Sequence, residues 1–164
     1  MIVVVMGVCG CGKSSVGAWL AKRMGGDFIE GDAYHPPASR AKMASGTPLT
    51  DEDRWPWLDR LAQEMRTRHD RGRSAVVACS ALRVAYRDRL RASGTDPVFV
   101  HLHGDPETIR DRMAARAGHF MPADLLESQL ATLEPEGEGE TLHRFDIAPP
   151  TEEIVQDVIA RLGL

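Results

Sequence analysis

No asparagine occurs in the 164 residues, which excludes the Asn-Lys-x-Asp motif with which a GTPase reads its base. Cysteine is almost as scarce. Cys9, Cys11 and Cys79 are an odd and sparse set, whereas a disulfide framework needs an even, denser one in an oxidising compartment. They read as reduced thiols, and the chain as cytoplasmic. Long hydrophobic runs are missing too: Ile2 to Met6 ends at Gly7, far short of the ~20 residues of a membrane span and without the basic start of a signal peptide. A large charge of one sign is also absent. Twenty basic against twenty-four acidic side chains leave a formal charge of −4 and a pI near 5.9, so bulk attraction to a nucleic-acid backbone is excluded. The excess of arginine over lysine does not alter that. Any anion must be caught locally.

What is present fits one compact domain spanning residues 1–164, with 43% hydrophobic residues and enough length to bury roughly two-thirds of its unfolded surface. Short apolar or β-branched runs alternate with helical patterns, the mark of an α/β domain with a mostly parallel sheet. Strands are predicted at Ile2 to Met6, Asp27 to Glu30, Ser74 to Cys79, Val98 to His103 and Arg144 to Ile147. Val16, Trp19, Leu20 and Met24 recur at helical spacing, as do Leu58, Leu61, Ala62 and Met65. Asp105 and Pro106 start a helix expected to reach about Arg116, and Thr151 starts the last one, with Ile154, Val155, Val158, Ile159 and Leu162 facing inward. Three stretches break the periodicity: His35 to Asp53, Gly118 to Pro122, and the acidic run Glu134 to Glu140. They read as mobile substrate and lid elements or as solvated loops.

Directly after the first strand and before the first helix stand Gly7, Val8, Cys9, Gly10, Cys11, Gly12, Lys13 and Ser14, the pattern GxxxxGKS. Such a loop folds its backbone around an anion. Successive N–H groups and the helix N-terminus point at phosphate oxygens, Lys13 neutralises the outer phosphates, and Ser14 is placed to ligate Mg²⁺, with Ser15 beside it. The site therefore calls for a nucleotide and Mg²⁺. A motor-type ATPase would end a buried strand in a metal-positioning aspartate, but Val76, Val77 and Ala78 lead into Cys79 and Ser80. The carboxylate stands instead at the end of the second strand, as Asp32 in Glu30-Gly31-Asp32, where a parallel sheet places its ligand crevice. Asp32 reads as the group that takes a hydrogen bond from an attacking hydroxyl or holds a water of Mg²⁺, or else as a helix cap.

Taken together, GVCGCGKS, GDAYHP, KMASGTPLTDEDRWPWL, CSALRVAYRDRLR, RAGHFMPADLLESQLATLE and the closing FDI resemble the gluconokinases, small P-loop kinases, over almost the whole chain. The resemblance implies an adenylate-kinase- or shikimate-kinase-like fold: a five-stranded parallel sheet with helices on both faces. It also implies a substrate-covering segment over about 35–70 and a lid over about 112–134. The implied reaction is ATP-dependent phosphorylation of D-gluconate to 6-phospho-D-gluconate, commonly by a homodimer. Where the family usually has serines this chain has Cys9 and Cys11; Ser39 replaces an asparagine and Arg83 a lysine. These departures bear on sugar selectivity, not on the phosphate loop.

His35, Lys42 and Arg54 suit a carboxylate substrate, each with a surface charge as its alternative. Tyr86 and Arg87 follow the third strand, where an arginine reaches the substrate or pairs structurally. In the RAGHF…QLATLE stretch, His119 and Gln129 are expected on the substrate. Arg112 and Arg116 lie on one helical face and serve the phosphates or adenine, with Arg116 taken as catalytic beside Lys13 and Asp32. Pro149 is placed against the adenine. Cys9 and Cys11 are either oxidation-prone thiols at a helix start or small residues in serine's place. His101 and His103 share one side of a strand without an evident third metal ligand. Another small-metabolite kinase of this fold, acting on shikimate or a nucleotide, or a nucleotide-sensing regulator, stays open on the residues alone.

Overall fold

A computed structural model describes residues 1–115 and 123–164. Arg116, Gly118, His119, Phe120 and Met121 therefore lie outside the described residues. Strands β1 (Ile2–Met6), β2 (Asp27–Glu30), β3 (Ala75–Ala78), β4 (Val98–His103) and β5 (Leu142–Asp146) form one parallel sheet in the order β2-β3-β1-β4-β5. The helices are α1 (Lys13–Met24), α2 (Pro37–Ala44), α3 (Asp51–Asp70), α4 (Val84–Arg91), α5 (Pro106–Ala115), α6 (Ala123–Thr132) and α7 (Thr151–Leu162).

Strand β1 is central because every one of its residues is buried. Its period of two divides the core into two layers. Val3 and Val5 meet Val16 and Leu20 of α1 and Ile154 and Val158 of α7 on one face. Ile2, Val4 and Met6 meet Trp57, Leu58 and Leu61 of α3 and Leu90 of α4 on the other. From β1 the chain runs to the edge strand β2, returns to β3 beside β1, and then crosses to β4 and β5 on the other side. The crevice beyond the end of β1 is thus a topological switch point, where open α/β sheets bind ligands.

Several boundaries differ from expectation. Strand β5 starts two residues early, because buried Leu142 pairs opposite Phe99, and it ends at Asp146, whose side chain turns back to accept from the Ala148 amide. Strand β3 loses Ser74 and Cys79 at its ends. Trp19 is 48% exposed, since the inner face of α1 is made by Val16, Gly17, Leu20 and Ala21. The stretch from His35 to Asp53 is not one loop: a 3₁₀ turn (Gly31–Tyr34) leads to α2, and α3 begins at Asp51. There the Thr50 hydroxyl accepts from the Asp53 amide and the Asp53 carboxylate accepts from the Thr50 amide, a reciprocal cap.

Candidate active site

The loop between β1 and α1 owes its path to glycine. Gly7 has φ 143°, and a Cβ there would stand 2.6 Å from the Leu102 carbonyl oxygen; Gly12, at φ 90°, starts α1 in the left-handed region. No side chain caps that helix and its first turn holds no acid, so its N-terminal amides remain open to an anion. Two contacts occupy the loop. Lys13 Nζ donates to the Val8 carbonyl at 2.9 Å, and the Cys9 amide donates to Gln129 Oε1 at 2.6 Å. Gln129, expected on the substrate, thus reaches the phosphate loop. Cys9 and Cys79 are not activated thiols: burial raises the Cys9 pKa against the pull of Lys13, and Cys79 is pushed up to about 12 by burial.

Asp32 lies in the 3₁₀ turn after β2, with 78% of its side chain open to solvent. It caps nothing, since Glu30 and Pro36 stand at the starts of that turn and of α2. The nearby His35 imidazole, and then the charge of Lys13, outweigh partial burial and hold its carboxyl below the usual range. Asp32 is accordingly an ionised, accessible oxygen donor near the phosphate-loop lysine.

Two clefts gather most of the remaining candidates. One, of about 320 Å³, is lined by Gly10, Gly12, Ser15, Arg112 and Pro149, so five positions expected around the nucleotide come together. Arg112 is aimed by its bond to the Ile147 carbonyl at 2.6 Å. The other, of about 390 Å³, brings the expected Arg54 and Tyr86 together with Thr50, Asp51, Arg83 and Ser128. Asp51 organises this group. It accepts from the Tyr86 hydroxyl and lies 3.5 Å from Arg83, while Arg54 donates to Tyr86 Oη at 3.2 Å. Asp51, Thr50 and Ser128 were missed; the Thr50-Asp53 capping pattern was the available signal for the first two.

Three candidates fall elsewhere. Arg87 is fully buried: it pairs with Glu140 at 2.7 Å and donates to the carbonyls of Ala81, Leu82 and Pro135. Of its two expected roles, substrate contact and structural pairing, the buried position is that of structural pairing. Ala81 has φ 47°, and the adjacent Ser80 carbonyl accepts from the Gly7 amide, so Arg87 braces the turn that supports the phosphate loop. Lys42 is bound to Asp53 at 2.7 Å, tying α2 to the start of α3 away from both cleft linings. His35, with 4% of its side chain exposed, stacks on Trp57 and offers a sugar no open face. His101 is likewise buried, and burial together with Arg144 lowers its pKa to about 4.

An anion-binding loop at a switch point, sharing its mouth with a carboxylate and opening beside a cation-lined cleft, defines a P-loop kinase of small molecules. The AAA domain family matches residues 2–136. A gluconokinase of Gluconobacter oxydans is 45% identical over 157 residues, covering 96% of this chain and 88% of that one. The thermosensitive gluconokinase of Escherichia coli is 42% identical over 162 residues, covering 96% and 87%. The crystal structure of a gluconokinase from Sinorhizobium meliloti superposes with a TM-score of 0.89 at 48% identity, covering 98% and 90%. The chain belongs to the gluconokinase family.

Proposed function

We propose that ATP occupies the cleft at the phosphate loop and D-gluconate the cleft between α3, α4 and α6, with the transfer taking place between Lys13 and Asp32. The chain is an ATP-dependent gluconokinase, and its product is 6-phospho-D-gluconate. The observation that carries the assignment of the two clefts is the position of α6, which lends Ser128 to the second cleft while Gln129 touches the phosphate loop. Helix α6 thus links the second cleft to the phosphate loop.

Lys13 and the first amides of α1 neutralise charge on the phosphoryl oxygens, with Arg112 beside them, and Arg116 is assigned the same task from its place in the sequence. The terminal hydroxyl of gluconate forms its bond to the γ-phosphorus as the bond to the β,γ-bridging oxygen breaks. Its proton passes to Asp32 and ADP leaves. Arg54 and Arg83 suit the carboxylate of the sugar acid, and a guanidinium at position 83 grips it with two prongs where an ammonium would supply a point charge. The exposed Ser14 hydroxyl is a hard oxygen donor that would hold Mg²⁺, with Asp32 steadying one of its waters, and the ion would supply neutralising charge at the phosphates. Residues of about 112–134 act as the lid that keeps water from the transfer.

A homodimer and a cytoplasmic location complete the proposal; no helix among the described residues is long and apolar enough to cross a membrane. The deciding experiment follows ADP release with gluconate, shikimate and nucleoside monophosphates, and sedimentation gives the mass. Turnover with gluconate alone is expected. Turnover only with another acceptor overturns the sugar assignment, and nucleotide binding without turnover on any of them favours a sensor.

A further inference from the structure

His35 has an imidazole that the transfer reaction does not yet employ, and its surroundings are unusually fixed. Its ring stacks on Trp57 at 4.0 Å with 20° between planes. Trp57 is itself buried and donates its indole N–H to the Gly31 carbonyl at 2.8 Å. Gly31 leaves no slack, since a Cβ there would lie 2.2 Å from the Ala78 carbonyl oxygen. On the outer side Arg40 donates to the carbonyls of both Ala33 and His35. The turn that carries Asp32 is thus clamped before and after it, and both clamps involve His35.

The ring nitrogens are not equivalent. Nε2 lies 3.7 Å from Asp32 Oδ1, whereas Nδ1 is buried with no partner among the described residues. A proton on Nδ1 would be a buried donor without an acceptor, while one on Nε2 points towards a carboxylate. The distance is longer than a hydrogen bond, and bonds of this kind tighten when the reacting groups are bound.

We propose that His35 is a positioning residue: its Nε2–H holds Asp32 Oδ1 so that the other carboxylate oxygen is aimed at the acceptor hydroxyl, and it does not touch the sugar. This rests on the reading of Asp32 as the group that receives that hydroxyl. Only residue types that place a donor where Nε2 stands can do the same. A glutamine amide reaches that point, and an asparagine amide stops near Nδ1.

Steady-state kinetics of His35→Gln, His35→Asn and His35→Ala in the full chain test the proposal. With the donor lost, as in the asparagine and alanine variants, kcat falls by about 10- to 100-fold, the scale of losing an orienting partner, with gluconate KM within about twofold. His35→Gln recovers most of kcat. In an Asp32→Asn background, His35→Ala adds no further loss. Equal behaviour of the glutamine and asparagine variants overturns the proposal, as does a rise in gluconate KM at constant kcat. A lowered Tm with kcat per folded molecule retained assigns His35 to packing on Trp57 and overturns it too. Full activity of Asp32→Asn instead refutes the reading of Asp32, and an inactive Asp32→Asn beside fully active His35 variants refutes the role of His35 alone.

Discussion

Lys13 rests on the Val8 carbonyl of its own loop, a neutral acceptor that a phosphoryl oxygen displaces with gain, since the new partner carries charge. Replacing Lys13 by alanine should lower turnover by at least about 10²-fold, the scale of losing one well-placed donor, while circular dichroism shows an unchanged fold. Arg87 calls for the opposite experiment. Its side chain and that of Glu140 are 0% and 3% exposed, and Arg87→Ala leaves a buried carboxylate with one guanidinium fewer. The expected cost is about 3–5 kcal/mol of stability, read in urea unfolding. Arg54→Ala, beside the open cleft, should raise gluconate KM with little change in unfolding midpoint. Lys13 and Asp32 were legible in the sequence because local chemistry dictates them: a glycine loop followed by lysine, and a carboxylate at a strand end. Arg87 was not, because its partner Glu140 lies 53 residues downstream and nothing nearby in sequence separates a buried arginine from one that binds a substrate.

Helices and strands were legible where one periodic face does all the packing. Helix α7 begins at Thr151 and buries Ile154, Val155 and Val158 as its spacing requires. Helix α3 was half read: Leu58, Leu61 and Met65 gave its core face, but the Thr50-Asp53 cap sits in a stretch whose proline and charge resemble a loop. That cap matters for the site because it sets Thr50 and Asp51 at the rim of the second cleft. Helix α6 shows what a pattern of residue types does not convey. Its Gln129 side chain holds the Cys9 amide, a donor that the loop otherwise presents to a phosphate oxygen. Bound ATP then competes with Gln129, and a net hydrogen bond is worth about 0.5–1.5 kcal/mol. Gln129→Ala should therefore tighten binding of a non-hydrolysable ATP analogue by about 2- to 10-fold in calorimetry. Weaker binding would mean instead that Gln129 contacts the nucleotide.

At the scale of the whole molecule, two buried titrating groups tie the fold to pH, both beyond the reach of sequence periodicity. His101 lies in β4, with burial and the neighbouring Arg144 lowering its pKa from 6.5 to about 4. In the unfolded chain it binds a proton below about pH 6.5; in the folded chain it stays neutral until pH 4. Over that interval the unfolded state holds more protons, so stability falls on acidification. Glu140 takes over at lower pH. Burial pushes its carboxyl up, but Arg87, the Gly137 amide and Arg91 together outweigh that and bring it from 4.5 to about 2. Between these values the unfolded carboxyl is protonated and the folded one is not, so its contribution is fully present above pH 4.5 and is lost as pH falls towards 2. The unfolding free energy should thus descend in two overlapping limbs, the upper one from His101 and the lower one from Glu140 together with Asp53, whose carboxyl Lys42 and the Thr50 amide hold at about 2. His101→Gln should flatten the limb between pH 6.5 and 4 and leave the lower one. Glu140→Gln should be less stable at neutral pH, because its amide cannot neutralise Arg87 and Arg91, and should show a shallower slope between pH 4.5 and 2, the remainder belonging to other carboxylates such as Asp53. Urea unfolding at half-unit pH steps reads both slopes. Unchanged slopes in both variants would place the acid response elsewhere in the molecule and would remove the buried Arg87–Glu140 pair from its account.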